Sequence, residues 1–178
     1  MNNKKAQYLK EKLDLSELPG EGGYYKETYR SDKTIILPSE TDGERSISTS
    51  IYYLLDGTQF SAFHRLKSDE IWHFYIGSSV TLYIINKIEN LSEVKLGSNI
   101  EKGELFQILI RAGSWFAATV NDISSYALLG CTVSPGFDYL DFELGDRKKL
   151  IKRYPQHRSI IEKLTRTQVN NLNRTSKQ

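Results

Sequence analysis

The sequence has little cysteine and no long apolar run. A single cysteine, Cys131, cannot form an internal disulfide framework, and we therefore expect the reducing cytoplasm as its compartment. No stretch approaches the roughly eighteen apolar residues that a membrane-spanning helix needs. The start, MNNKKAQYLKEKLDL, is charged and lacks an apolar core, so we expect no secretion signal. What remains is an ordinary globular composition, with 39% hydrophobic and 26% charged residues.

The net charge is only +2, but it is unevenly distributed. From residue 147 onward the chain has ten Lys/Arg and one Asp/Glu, whereas the first 146 residues have 14 and 21. A basic segment can contact nucleic acid, but this one lacks interleaved aromatic residues and any nucleic-acid-binding motif. We interpret it as a solvated helix surface, and we expect neither a nucleic acid nor a membrane as partner.

Most of the chain consists of short runs rich in Tyr, Ile, Val, Phe and Thr, separated by turn signals. The runs are YYKETYRS, SISTSIYYLL, QFSAFHRL, EIWHFYIG, VTLYIINKI, LFQILI, SWFAATV, YALLGCTV and YLDFEL. Closely spaced strands without helical patterns between them predict an all-β antiparallel sandwich or barrel. We predict one domain over residues 1–178, with its core at about 18–145. Short helices are predicted at about 4–13 and 146–166, followed by a polar tail at 167–178.

The stretch HRLKSDEIWHFYIG combines two of the three histidines with a carboxylate. Strand side chains alternate between the two faces of a sheet. Glu70 therefore shares a face with Trp72 and Phe74, and His73 lies on the opposite face. We expect the turn KSD to join the two strands as a hairpin. His64 and Glu70 then interact if both face the same interior.

These residues resemble the cupin motifs. His64, five residues, Glu70, six residues and Gly77 match the second half of the first motif, and Gly57 lies near its leading glycine. In RAGSWF, Gly113 holds the glycine position of the second motif. The segments EGGYYKETYRS, IYYLL, GSWFAA, YALLGCTVSPGFDYLDFELGDR and a late YP extend the likeness. Together they resemble the fifth cupin family, long filed as a domain of unknown function and described as predicted sugar epimerases.

The resemblance covers roughly residues 5–165 and implies a double-stranded β-helix, which is a jelly-roll barrel. It also implies a small-molecule ligand inside the barrel and a homodimer that shares edge strands. One departure concerns the family's His-Pro before Glu-Gly-Gly, because Pro19 and Gly20 precede Glu21 here. Any role of that histidine is not carried over.

The resemblance does not extend to the usual cupin metal ligands. Leu66 stands where the second histidine of the first motif belongs, and Phe116 stands where the second motif has its histidine. His64 and Glu70 alone make a poor site for Fe, Mn, Ni or Zn. We therefore expect no metal cofactor. A divalent transition metal at His64 and Glu70 is the alternative.

The resemblance implies a metal-independent isomerase or epimerase acting on a sugar or nucleotide-sugar. His64 is the candidate base, because histidine has a suitable pKa for abstracting a proton next to a carbonyl, and Glu70 is the candidate group that orients it. Candidates for the returning acid are Tyr25, Tyr53 and Tyr126. Candidates for the donor to the enolate oxygen are Gln107, Arg30 and Arg65, of which Arg65 should face away from the interior.

A non-catalytic binding protein is the alternative function. Its ligand would lie among aromatic side chains, namely Trp72, Phe74, Trp115 and Phe116. Each of these aromatics is also what a packed barrel core would contain, and a buried His–carboxylate pair can simply join two strands. The missing histidines argue against a metal-dependent dioxygenase, the third class considered.

Overall fold

A computed structural model describes residues 2–37 and 43–167, with side chains from residue 4 onward. Almost all of the predicted polar tail lies outside the described residues. The α-helices are α1 (Asn2–Lys12), α2 (Arg147–Arg153) and α3 (Arg158–Lys163). The strands are β1 (Ser16–Glu17), β2 (Tyr24–Arg30), β3 (Thr34–Ile36), β4 (Glu44–Ser46), β5 (Thr49–Asp56), β6 (Phe60–Leu66), β7 (Asp69–Gly77), β8 (Val80–Ile85), β9 (Leu91–Leu96), β10 (Gln107–Ile110), β11 (Trp115–Val120), β12 (Tyr126–Ser134) and β13 (Phe142–Leu144).

Two antiparallel sheets pack face to face. The first has the strand order β1-β2-β5-β12-β7-β10, and the second has the order β13-β6-β11-β8-β9. Strands β3 and β4 form a separate two-stranded ribbon. The predicted all-β architecture with short terminal helices is thus confirmed.

The connection KSD corrects one sequence expectation. Strands β6 and β7 belong to opposite sheets, so Lys67 and Ser68 carry the chain across the sandwich and form no hairpin. The chain crosses between the sheets in the same way from β5 to β6 and from β7 to β8. These crossings place His64 and Glu70 on facing sheets, both turned toward the space between them.

Three apolar clusters hold the layers together. The central cluster fills the space between the sheets and includes Tyr53, Trp72 and Phe116. A second cluster joins the outer face of the β6 sheet to α2 and α3, and a third joins the outer face of the β7 sheet to α1. Helices therefore cover the outer faces in part and leave the interior to side chains from the strands.

The terminal helices begin and end close to the predicted positions. Asp146 caps α2 as expected, since its Oδ1 accepts a hydrogen bond of 2.8 Å from the backbone N–H of Lys149. Arg158 and Glu162 form an ion pair of 2.8 Å along α3. None of the described helices is long and apolar enough to cross a membrane.

The sequence patterns missed the two-residue strand β1, strand β9 and the ribbon of β3 and β4. Strand β9 has the sequence LSEVKL, in which polar and apolar residues mix because it is an exposed edge strand. The ribbon of β3 and β4 has only three residues in each strand, and β3 is exposed throughout. Strand β9 contributes Val94 and Leu96 to the central cluster, but its start lacks the regular alternation that gives a strand signal, and β3 buries no residue.

Candidate functional site

A loop between β1 and β2 brings Glu21 into the interior. Gly22 and Gly23 follow it with φ angles of 106° and 79°, a region that L side chains rarely adopt. A Cβ at Gly23 would lie 2.8 Å from the ring of Tyr53, and one at Gly22 would lie 2.5 Å from the carbonyl oxygen of Phe60. The loop therefore needs both glycines to pack this closely.

Several hydrogen bonds fix Glu21 in place. Its Oε1 accepts a bond of 2.8 Å from Ser61 Oγ, and its carbonyl oxygen accepts one of 2.9 Å from the Ala62 N–H. Arg166, beyond α3, donates to the same carbonyl oxygen at 3.2 Å and to the Phe60 carbonyl. Glu21 is only 8% exposed. The C-terminal segment thus helps to position this carboxylate.

His64 projects from β6 into the interior and is 3% exposed. Its Nδ1 lies 2.8 Å from the carbonyl oxygen of Ala62, which can only accept a hydrogen bond, so Nδ1 carries a proton. Its Nε2 lies 3.8 Å from Glu21 Oε2. The rings of Phe116 and Phe142 contact the imidazole, with centroids 4.0 and 5.4 Å away. In the neutral ring, Nε2 therefore carries the free lone pair and faces a carboxylate.

The other two histidines have the opposite tautomer. His73 Nδ1 accepts a hydrogen bond of 3.0 Å from Gln107 Nε2, and its Nε2–H donates to Thr132 Oγ1 at 3.1 Å. His157 Nε2–H donates to the carbonyl oxygen of Glu89 at 2.9 Å. These assignments follow from the hydrogen-bond partners. Burial also lowers the pKa of His73.

Glu70 projects into the same interior from β7. Burial and the charge of Glu21 raise its pKa to about 8, and the Cys131 thiol and the Trp72 indole partly offset this rise. Neither Glu70 Oε2 nor Trp72 Nε1 makes a hydrogen bond of ordinary geometry. Burial, followed by the charge of Glu70, raises the pKa of Cys131, as expected for an inert thiol. The glutamic acid is thus largely neutral at pH 7.

The partner of His64 differs from the expectation. Glu70 was predicted to pair with it, but the carboxylate at ion-pair distance among the described residues is Glu21. Glu70 instead lies beside Trp72 and Cys131. The difference arises because His64 and Glu70 project from different sheets, and the Glu21 loop packs against β6 next to His64.

Four of the residues predicted to bind substrate reach the interior. Trp72 and Phe116 are each 1% exposed, and their ring centroids lie 6.0 Å apart. Phe74 and Tyr25 are half-buried against the same cluster. Burial, followed by the neighbouring Tyr25 hydroxyl, raises the pKa of Tyr139 to about 12. These four side chains therefore belong to the central cluster or pack against it.

Arg30 lies at the end of β2, outside the cluster. Its guanidinium pairs with Glu27 at 2.7 Å and donates to the carbonyl oxygen of Phe137 at 3.2 Å. The ring of Phe137 packs against the ring of Phe142, with centroids 6.3 Å apart, and Phe142 in turn contacts His64. Arg30 therefore anchors an aromatic cover over the imidazole, which the sequence patterns did not indicate.

Gln107 and Tyr126 do not reach the interior. Gln107 is exposed and bonded to His73 on the outer face of its sheet. Tyr126 packs with Ala6 and Leu54 beneath α1. Both placements correct the expectation that these two residues line the ligand site, because alternation along β10 and β12 directs them outward.

Arg65 and Trp115 lie on the outer face of the other sheet. The guanidinium of Arg65 pairs with Glu143 at 2.5 Å and lies 4.6 Å from the ring centre of Trp115. Arg65 thus faces away from the interior, as its position next to His64 implies. Trp115 packs toward α2 and α3, so it does not line the interior with the other aromatic side chains predicted there.

The interior does not offer the donor set of a cupin metal centre. Leu66 is buried, and the ring of Phe116 packs on His64 where a second-motif histidine would otherwise approach. No group of three or more His, Cys, Asp or Glu able to hold a metal ion occurs within residues 2–37 and 43–167. The side chains of the interior therefore do not fit a cupin metal ion, and the chemistry proposed for this protein involves no metal.

Glu21 is the carboxylate beside His64 that sequence reasoning did not select. The sequence does contain a local signal, since a glutamate before two glycines indicates a tightly turned loop, but nothing in the sequence shows where that loop points.

Two depressions open to solvent, of about 310 and 440 Å³, lie along α1 and share no residue with the interior cluster.

Proteins of similar structure come from distant organisms. A protein from Shewanella oneidensis is 38% identical to this chain, with a TM-score of 0.82. The match covers 92% of this chain and 98% of the Shewanella chain. A hypothetical protein from Leishmania major is 34% identical, with the same TM-score and coverages of 90% and 98%. Oxalate decarboxylase from Bacillus subtilis is 13% identical, with a TM-score of 0.53 over 85% of this chain and 37% of its own, so this likeness concerns the fold alone.

Among curated proteins, an uncharacterised protein of Saccharomyces cerevisiae is 28% identical over 133 residues. The match covers 68% of this chain and 66% of the yeast protein, slightly less than two thirds of its length. Residues 7–145 match the family described as Cupin superfamily (DUF985). The sandwich of two antiparallel sheets is accordingly a cupin fold, and the chain belongs to the DUF985 family of the cupin superfamily.

Proposed function

We propose that the protein is a metal-independent isomerase or epimerase that acts on a sugar or nucleotide-sugar, with His64 as its base. The observation that carries the proposal is the hydrogen bond from His64 Nδ1–H to the Ala62 carbonyl oxygen. It leaves the lone pair of Nε2 as the basic position inside the barrel. Histidine titrates near neutral pH, which suits reversible proton transfer.

Glu21 supports this role electrostatically. When Nε2 takes a proton from the carbon next to a carbonyl, the imidazole becomes positively charged, and the electron pair of the C–H bond moves onto the carbonyl oxygen. A carboxylate 3.8 Å from Nε2 stabilises that positive charge in a site largely shielded from water. Return of a proton to the same carbon from the other face gives an epimer. Return to the former carbonyl carbon gives an isomer, provided that the enolate oxygen takes up a proton and the hydroxyl group on the first carbon gives one up to become the new carbonyl.

Tyr25 is the best-placed acid among the three tyrosines considered. The Tyr53 hydroxyl donates its proton to the Gly22 carbonyl oxygen at 2.8 Å, and Tyr126 lies beneath α1. Tyr25 packs against the central cluster, and its hydroxyl lies beside that of the exposed Tyr139. A proton can thus be passed to a bound substrate from the side of the aromatic cover.

The test is exchange of substrate carbon-bound hydrogen with deuterated water, followed by mass spectrometry across a panel of free sugars and nucleotide-sugars. We expect the wild-type protein to incorporate deuterium into at least one member and His64→Gln to incorporate none. His73→Gln is the matched control, because His73 lies on the outer face. Equal incorporation by His64→Gln and the wild-type protein would remove His64 as the base.

A non-catalytic binding protein is the second candidate. The aromatic rings of Phe116 and Phe142 against His64 favour it, because such surfaces bind planar or apolar ligands without any proton transfer. Thermal-shift screening separates the two functions. A panel member that stabilises the wild-type protein but never gains deuterium supports the binding function.

A further inference from the structure

Two buried polar atoms in the interior have no hydrogen-bond partner. They are Oε2 of Glu70 and the indole Nε1 of Trp72, and these two residues are 6% and 1% exposed. Buried polar groups are almost always hydrogen-bonded, since leaving one unpaired costs free energy. Both side chains project inward from β7, two residues apart on the same face. The Trp72 indole and the Cys131 thiol lie near the Glu70 carboxyl group and partly offset its raised pKa, but neither contact has hydrogen-bond geometry. A ligand oxygen placed between the two groups would supply the missing partner to both.

The chemistry of the two groups defines that partner. An indole N–H can only donate a hydrogen bond. A protonated carboxyl group donates through its O–H, and the pKa of about 8 keeps Glu70 protonated at neutral pH. An oxygen atom that accepts two hydrogen bonds therefore satisfies both groups. A carbonyl oxygen accepts two, and it accepts them more strongly once negative charge develops on it.

We propose that Glu70 and Trp72 together bind the carbonyl oxygen of the ligand, so that the substrate is a carbonyl compound such as a ketose or keto-sugar. This inference rests on the proposed function, in which His64 removes a proton from the neighbouring carbon. Glu70 then has a role other than orienting His64. The two donors replace Gln107 and Arg30, which do not face the cluster, as the groups that stabilise the enolate oxygen.

The two tryptophans of the chain make a direct test possible. In ¹⁵N-labelled protein each indole N–H gives one NMR signal, and the variants Trp72→Phe and Trp115→Phe assign them. The probe is dihydroxyacetone, and the matched control is glycerol, which replaces the carbonyl oxygen by a hydroxyl group. We expect dihydroxyacetone to shift the Trp72 signal and leave the Trp115 signal unchanged, with no comparable shift from glycerol.

Substitutions then test both donors. Trp72→Phe keeps an aromatic ring but removes the N–H, and we expect it to weaken dihydroxyacetone binding about tenfold. Trp115→Phe should bind like the wild-type protein, because Trp115 packs toward α2 and α3. Glu70→Leu should lose a similar factor of about ten, whereas Glu70→Gln retains binding because its amide also donates.

The outcomes separate this inference from the proposed function. A Trp72 signal that does not move with dihydroxyacetone, or that moves equally with glycerol, overturns the carbonyl-oxygen site. Binding that is unchanged in Trp72→Phe overturns it as well. His64→Gln should still shift the Trp72 signal while losing deuterium exchange, so loss of exchange alone concerns the base. A shift at Trp72 in a protein that never exchanges deuterium would retain this site and reject the isomerase.

Discussion

The raised pKa of Glu70 predicts a specific dependence of stability on pH. An ordinary glutamate titrates at 4.5, whereas burial and the charge of Glu21 raise the pKa of Glu70 to about 8 in the folded protein. Below pH 4.5 the carboxyl group is protonated in both states. Between 4.5 and about 8 the unfolded chain ionises first, so the free energy of unfolding falls as pH rises. Above about 8 both states are ionised and the loss levels off.

The magnitude follows from the same two values. The interval from 4.5 to about 8 spans roughly 3.5 pH units, and each pH unit is worth about 1.4 kcal/mol, so the full loss is about 5 kcal/mol. Glu70→Gln cannot ionise and should escape it. The free energy of unfolding of the wild-type protein should therefore fall relative to that of Glu70→Gln as pH rises, by up to about 5 kcal/mol.

Urea denaturation at a series of pH values measures this difference. Titrating groups that do not interact with Glu70 contribute equally to the two proteins and cancel, whereas Glu21 and Cys131 are coupled to Glu70 and belong to the measured difference. Glu17→Gln is the matched control, because Glu17 is an exposed glutamate on β1. Its stability should run parallel to that of the wild-type protein between pH 4.5 and 8. A parallel curve for Glu70→Gln as well would refute a raised pKa at Glu70.

Three further substitutions test the framework around the site by urea denaturation and hydrogen exchange. Asp141→Asn breaks a buried pair with Arg45 of 2.7 Å, and we expect the free energy of unfolding to fall by about 3 kcal/mol. Phe116→Ala empties part of the central cluster and should cost about 4 kcal/mol. Arg166→Met removes a donor to the Glu21 carbonyl oxygen, so we expect a loss of about 1 kcal/mol and faster amide exchange in the Glu21 loop.

Each of the three has an outcome that would contradict it. The exposed pair of Arg65 with Glu143 serves as the control for Asp141→Asn, and Glu143→Gln should cost no more than about 1 kcal/mol. Equal costs for the two variants would mean that burial does not set the strength of the inner pair. A stable Phe116→Ala protein would contradict a packed interior. Unchanged exchange in Arg166→Met would show that the C-terminal segment does not hold the Glu21 loop.

Much of the fold was predictable because short stretches of the sequence are enough to identify most of its strands. Alternation along β7 placed Glu70 and Trp72 on one face and His73 on the other, and the structure has this arrangement. The all-β class and the helix cap at Asp146 follow from equally local patterns. Strand β9 gave no such signal, because its start lacks regular alternation.

The composition of the site was less predictable, because it depends on contacts between distant segments. Glu21 and His64 are 43 positions apart, and only the packing of a glycine loop against β6 brings them within 3.8 Å. Alternation along a strand does not show which of its two faces is the inner one. For this reason Tyr126 and Gln107 were expected at the ligand site, although both lie on outer faces. Phe142 reaches His64 only through the pairing of β13 with β6.

The tautomer of His64 tests the central claim most directly. In protein labelled with ¹⁵N-histidine, NMR distinguishes protonated from unprotonated ring nitrogens for each of the three histidines. Neutral His64 should carry its proton on Nδ1, which donates to Ala62, and leave Nε2 as the free base beside Glu21. Its neutral counterparts His73 and His157 should carry theirs on Nε2 and serve as internal references. A proton on Nε2 of neutral His64, with Nδ1 unprotonated, would leave no lone pair on the nitrogen that faces Glu21 and contradict the proposed mechanism.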